Sequence, residues 1–365
     1  MCGLMAWSWQ TARSRGELGE AVLLERPAVP EELGWSESRA VSRGSVASVH
    51  AASAVELADG SLRAYWFGGS REGADDVSIW TARRAPGSES WGQPTIAVDR
   101  LWLEKASGQN IRKLGNPVAH RSPDGEVELF VVGVSLGGWS GSSIYHLRSG
   151  DEGLSFSKPR RLITSPLANL STLVKGAAFD TEDGGLLLPV YHELATVYPQ
   201  LLRLDAKRKV VGLRSWREAR GLLQPWAVPG EDGLEMLLRD MSDVGRVHTL
   251  SSAGVEPLDI PNPNSAVAAI ALQGGTLLAC NDTGKEDSRS RMALYFRPAG
   301  GTEWRLLRHL ALPEAEERED EGSRERISYP WLMQSSDGTL HLFFTWHRRE
   351  IRHLQFDARE WDFPE

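Results

Sequence analysis

"VELADGSLRAYWF", residues 55–67, reads as two strand-forming runs hinged on Asp59-Gly60. Asp-Gly between alternating or β-branched runs is the clearest short-range hairpin signal, because the glycine takes the positive φ that a tight turn demands. The signal recurs in "RSPDGEVELFVVG" (121–133), "TEDGGLLLPVY" (181–191), "GEDGLEMLLR" (230–239), "LQGGTLLAC" (272–280, with Gly274-Gly275) and "SSDGTLHLFFTW" (335–346). Successive turns lie roughly 40 to 65 residues apart, each interval long enough for one four-stranded sheet with variable loops, and units of this size mean stacked or radial repeats. Six of them, with no convincing long amphipathic helix, predict an all-β chain folded as a six-bladed β-propeller.

No linker or composition shift divides the chain, so residues 1–365 are expected to form one domain. Residues 1–40 read as an N-terminal extension. Within it "EAVLLERPAV" (20–29) is expected to pair with "EIRHLQFD" (350–357) and close the last blade, leaving no open edge. The charged stretch "EAEEREDEGSRER" (314–326) reads as a solvated loop at a blade junction, close enough to Tyr329 to act as a lid.

Composition narrows the function. Hydrophobic content of 41% and charged content of 25% are those of a soluble globular protein. A net charge of −8 argues against a nucleic-acid partner, while a local arginine cluster could still bind an anionic substrate. Cys2 and Cys280 are too few for a disulfide framework, and the histidines lack metal-ligand spacing, so no metal or other cofactor is expected. The first 20 residues lack the basic and apolar segments of a secretory signal, and no run of about 18 apolar residues occurs. No membrane partner and a cytoplasmic location are the expectation.

Counting back from each turn reaches the start of each blade's first strand, which lines the central channel of a propeller. The residues there are His50, Asn116, Lys175, Gln224, Ser265 (or Asn264) and Tyr329, all polar where a structural inner strand would favour small or apolar side chains. A second polar ring follows the turns: His192 and Glu193, Arg239 and Asp240, Asn281 and Asp282. Arg289 lies further on, and the first blade adds Arg71, Glu72, Asp75 and Asp76. Guanidinium groups facing carboxylates in a polar funnel suit an acidic sugar, because arginine grips a carboxylate bidentately while a nearby acid protonates a glycosidic oxygen.

The chain resembles the sialidase superfamily, particularly its bacterial BNR or Asp-box branch. "SGDEGLSF" (149–156) matches the Asp-box pattern, and "RAPGSESW" (84–91) and "RPAGGTEW" (297–304) are eroded relatives. The resemblance implies a Tyr329 nucleophile, carboxylate-binding Arg239 and Arg289, and Asp75 as acid/base, with Asp76 or Glu72 as alternatives. It also marks two departures. His50 stands where the first of three arginines is expected, and Gln224 where a glutamate would activate the tyrosine. A phenol with a reference pKa near 10 needs a base, which glutamine cannot be; His50, Glu193 or Asp240 could take that part. Arg71, Asn116, Lys175 and His192 are expected to line the pocket. The expectation is therefore an exo-glycosidase for sialic acid or a related nonulosonate. One alternative is a lyase or atypical hydrolase of uronate glycans using His50 and Tyr329. Another is a silent propeller that binds a glycan or a protein.

Overall fold

The computed structural model describes residues 39–356 other than 137, 165–168, 170, 231–232, 243, 285–288 and 311–326. The Asp-Gly turns behave as their chemistry dictates. Gly60, Gly125, Gly184 and Gly338 adopt φ of 77°, 90°, 76° and 88°, the left-handed region that costs glycine nothing. The aspartate in front holds the loop: the Asp59 carboxylate accepts from Ser61 N at 3.0 Å, and that of Asp337 from Thr339 N at 2.9 Å.

Each turn joins the first and second strands of an antiparallel sheet, and six such sheets make the six-bladed propeller. Blade 1 comprises Ser48–Glu56, Leu62–Gly69, Ser78–Arg84 and Thr95–Val98. Blade 2 comprises Lys113–Arg121, Val127–Val134, Ser142–Ser149 and Arg160–Arg161. In blade 3 the inner strand is broken into Leu173–Val174 and Phe179–Asp180, followed by Leu186–His192, Tyr198–Leu204 and Val210–Ser215. Blade 4 holds Leu222–Gly230, Gly233–Asp240, Arg246–Ser251 and Gly254–Pro261, and blade 5 Ala268–Leu272, Gly275–Cys280, Met292–Pro298 and Arg305–Leu310. Blade 6 is Ile327–Gln334, Leu340–Trp346 and Glu350–Phe356, completed by Arg39–Ala40 from the N-terminal side.

The closing strand is thus shorter and later than expected. Arg39 pairs with His353 and Ala40 with Arg352, while the 20–29 segment, like the 314–326 loop, lies outside the described residues. The described structure also holds a helix absent from the sequence reading, Arg100–Ser107, here α1, between blades 1 and 2. The Asp99 side chain caps it by accepting from Trp102 N, and Gly108 at φ 66° ends it.

Second strands are sandwiched between neighbouring blades, so both their faces are buried; Leu62–Gly69 and Val127–Val134 are buried at every position. Inner strands crowd the axis and carry small side chains there, including Ala54, Ala119, Ala227 and Ala269. These border a channel of about 950 Å³ at the mouth where the inner strands end. The Asp box sits on the outer turn between the third and fourth strands of blade 2. Asp151 accepts from Ser149 Oγ at 2.6 Å and Ser155 N at 2.9 Å, a purely local knot.

Candidate functional site

At the opposite mouth, where inner strands begin, the pairing registers slip. Ladders skip from His50 to Ser53, Gly115 to Pro117, Leu223 to Trp226 and Ser328 to Trp331. A β-bulge re-aims a side chain, and proline is tolerated there because the ladder is already interrupted. The blade 4 and 6 bulges contain Gln224-Pro225 and Tyr329-Pro330, and the blade 2 bulge contains Asn116, followed directly by Pro117. Gln224 and Tyr329 adopt φ of 50° and 55°. Left-handed backbone at a non-glycine residue costs on the order of 1–3 kcal/mol and persists where the surroundings fix it, typically at functional sites.

These bulges point into a cavity of about 220 Å³ walled by Tyr329, Gln224, Arg239, Arg289, Glu193 and Asn116. Gln224 Nε2 donates to the Tyr329 hydroxyl at 3.1 Å, while Arg239 Nη1 donates to Gln224 Oε1 at 3.0 Å and reaches the same hydroxyl at 3.5 Å. Arginine only donates, so its contact fixes the amide orientation and leaves the Gln224 NH₂ facing the phenol. Gln224 cannot remove the phenolic proton; its amide can only donate to the phenol oxygen. Asn264 braces both arginines, its side chain accepting from Arg239 Nε at 2.7 Å and its carbonyl from Arg289 Nη2 at 2.6 Å.

The other sequence candidates divide between the wall and the structure around it. His50 is one residue ahead of the blade 1 bulge, whose left-handed residue is Ala51. The His50 ring is buried, 4.2 Å from the Tyr329 ring. Burial, then the charges of Arg348, Arg289, Arg239 and Lys175, push its pKa well down and keep the imidazole neutral. Asp240 is buried and accepts from the backbone of Ser242, Gly245 and Arg246, so it organises a loop and is not a base for the tyrosine. Asp282 serves Arg291, His309 and Tyr295 within blade 5. His192 stacks on Tyr198 at 4.8 Å and does not line the cavity. Asn116 donates to Val174 O at 3.1 Å at the wall. Lys175 is buried below it.

The blade 1 loop is turned differently from the expectation. Arg100 of α1 donates to the Asp75 backbone carbonyl at 2.6 Å, and Asp75 is exposed, outside the cavity lining. Asp76 accepts from Ser70, and Arg71 is exposed. Glu72 is the acid of that loop at the wall, ion-paired with Arg348.

Arg348 is the residue the sequence reading missed. It lies on the turn between the second and third strands of blade 6, where His347 and Arg348 have φ of 47° and 56° and Arg349 N donates to Trp346 O at 2.9 Å. With Arg239 and Arg289 it gives the cavity three guanidinium groups. Glu193, also at the wall, has its pKa raised by burial, with Arg239 opposing. Among the described residues no cluster of metal-ligating side chains occurs, and no helix is long and apolar enough to cross a membrane.

The fold has known counterparts. A protein of unknown function from Dyadobacter fermentans DSM 18053 superposes with a TM-score of 0.66 at 15% identity, over 89% of this chain and 99% of that one. The Hadza microbial sialidase Hz136 gives 0.66 at 16% identity, over 86% and 66%. Trypanosoma rangeli sialidase gives 0.64 at 13%, over 95% of this chain and 60% of its own length, so this chain spans less than two thirds of either sialidase. No curated protein matches the sequence. The BNR repeat-like domain matches residues 60–342, most of the propeller, and the chain belongs to that family.

Proposed function

We propose that the protein is an exo-acting glycoside hydrolase for an acidic sugar, a sialic acid or related nonulosonate. The observation that carries this reading is the meeting of three guanidinium groups with the Tyr329 phenol in one cavity. At about 220 Å³ the cavity lies below the roughly 300–1,000 Å³ of drug-sized ligand sites, a space for one terminal sugar rather than a stretch of polymer. Arg239, Arg289 and Arg348 bind the carboxylate through charge-assisted hydrogen bonds. A neutral phenol as nucleophile escapes the repulsion that a carboxylate would meet at an anomeric carbon already bearing one.

Tyr329 attacks that carbon while the glycosidic C–O bond breaks. Glu193 is the acid for the leaving oxygen, since burial favours its protonated form. Glu72, the other carboxylate at the wall, accepts the phenolic proton, and Gln224 with Arg239 supports the phenolate. The test is release of aglycone from a fluorogenic sialoside, abolished by Tyr329→Phe. The contact of neutral His50 with Tyr329 favours a second reading, elimination on a uronate glycan with these two as base and acid. Ultraviolet absorbance of an unsaturated product, without aglycone release from the sialoside, would select it. Binding without turnover on acidic glycans would select neither chemistry.

A further inference from the structure

Lys175 is a fully buried lysine that the chemistry above does not use. It follows Leu173–Val174 at the break in the blade 3 inner strand, near the axis between the two mouths. Its ammonium donates to the Pro330 carbonyl at 2.9 Å, the residue directly after Tyr329 in the blade 6 bulge. It also lies 5.0 Å from the Trp226 ring, 5.5 Å from Trp331 and 5.9 Å from Tyr329. Trp226 and Trp331 meet edge to face at 5.0 Å. The neighbouring Gly176 is pressed against the Gln224-Pro225 bulge so closely that an added Cβ would come within 2.3 Å of Pro225 O.

Among the described residues no Asp or Glu pairs with this lysine, and burial alone lowers its pKa to about 7. An unpaired buried ammonium opposes folding, and an apolar side chain of similar volume would stabilise the fold better. Its partners all lie in the bulges of blades 4 and 6 or directly after them. We infer that Lys175 is a positioning residue: it reaches across the axis from blade 3 and holds the Tyr329 bulge from beneath, fixing the height at which the phenol enters the cavity. The inference rests on the reading of Tyr329 as nucleophile only for its catalytic consequence, since the contact to Pro330 stands without it.

The test is Lys175→Met, which fills the space without the hydrogen bond. With ¹³Cζ-labelled tyrosine, the Tyr329 resonance is assigned among the 6 tyrosines by its loss in Tyr329→Phe. In Lys175→Met the Tyr329 resonance is expected to shift or broaden while the melting temperature holds or rises. On an active sialoside kcat is expected to fall roughly 10²-fold with KM nearly unchanged, the signature of a displaced reacting group. An unmoved Tyr329 resonance, or a loss of stability with kcat preserved, overturns the inference. If the wild-type protein is silent on sialosides yet the resonance moves, the support from Lys175 stands and the sialoside reading falls.

Discussion

Tyr329 and Gln224 hold the same place in their blades, each left-handed and each followed by proline. The backbone strain and the hydrogen bonds point the same way: both side chains leave the sheet to meet in one cavity. Arg348 arrives there from a turn, held at its backbone by Val49 N donating to its carbonyl at 2.7 Å and at its head by Glu72. Arg348→Met is expected to lower kcat/KM on a sialoside by about 10- to 100-fold, chiefly through KM, since a hydrogen bond to a charged group is worth roughly 1.5–3 kcal/mol. Steady-state kinetics beside Asp75→Asn, expected to be near wild type, separate the cavity wall from the exposed loop. Glu193 makes a second prediction. As the leaving-group acid it works protonated, so the rate falls as pH rises through its raised pKa. Glu193→Gln is expected to remove that alkaline limb and to cost roughly 10²–10⁴-fold on a sugar leaving group. The cost on an activated phenol, which departs without a proton, is expected to be much smaller.

At the scale of elements, what the sequence made legible is what local chemistry decides. Five Asp-Gly turns follow from glycine's conformational freedom and an aspartate that bonds its own turn, and with Gly274-Gly275 they let six blades be counted from the chain. The bulges were partly legible: three X-Pro dipeptides at the starts of inner strands mark interrupted ladders, but the one-residue slip between His50 and Ala51 is a matter of pairing. The turn bearing Arg348 has positive φ at His347 and Arg348 without glycine or asparagine, and no residue-type signal reveals it. The resemblance favours Asp75 over Glu72, and the bond from Arg100 to the Asp75 carbonyl, 25 residues apart, carries no mark in the sequence. α1 carried both its caps, Asp99 and Gly108, but eight residues fall below the length at which periodicity speaks. The closing strand is only Arg39–Ala40, reinforced by Val41 N to Ile351 O and Ile351 N to Ser42 Oγ, both 2.8 Å. Deleting residues 1–42 exposes the edge Glu350–Phe356 and is expected to lower the denaturation midpoint and to promote association through that edge. Size-exclusion chromatography and chemical denaturation read both effects.

For the whole molecule, the buried titratable groups set a common pH dependence. Burial lowers the pKa of His341 to about 3 and holds His353, His50 and His146 below the ordinary histidine value. The unfolded chain therefore binds protons that the folded chain refuses, and stability is lost as pH falls below about 6.5. Glu128, fully buried in blade 2, adds to this at lower pH. Burial would raise its pKa, but hydrogen bonds from His146 and from Arg208 of blade 3 outweigh burial and bring it to about 2. Its contribution is present above the ordinary value of 4.5 and vanishes as pH falls toward 2. Lys175, neutral above about 7 when folded, adds stability as pH rises from there toward its ordinary 10.5. The melting temperature is thus expected to climb steadily from pH 4 to pH 8, and a maximum near pH 5 would contradict the assignment of these groups.

In the proposed reaction Tyr329, exposed to the cavity by its bulge, forms the bond to the sugar. Trapping with a fluorinated sialosyl fluoride, which forms the glycosyl-enzyme and slows its hydrolysis, followed by peptide mass mapping, tests this directly. The expected result is one added fluorosialosyl mass on the peptide containing Tyr329, blocked by excess free sialic acid. An unmodified Tyr329 in protein that turns over sialosides, or a label on another residue, would contradict it.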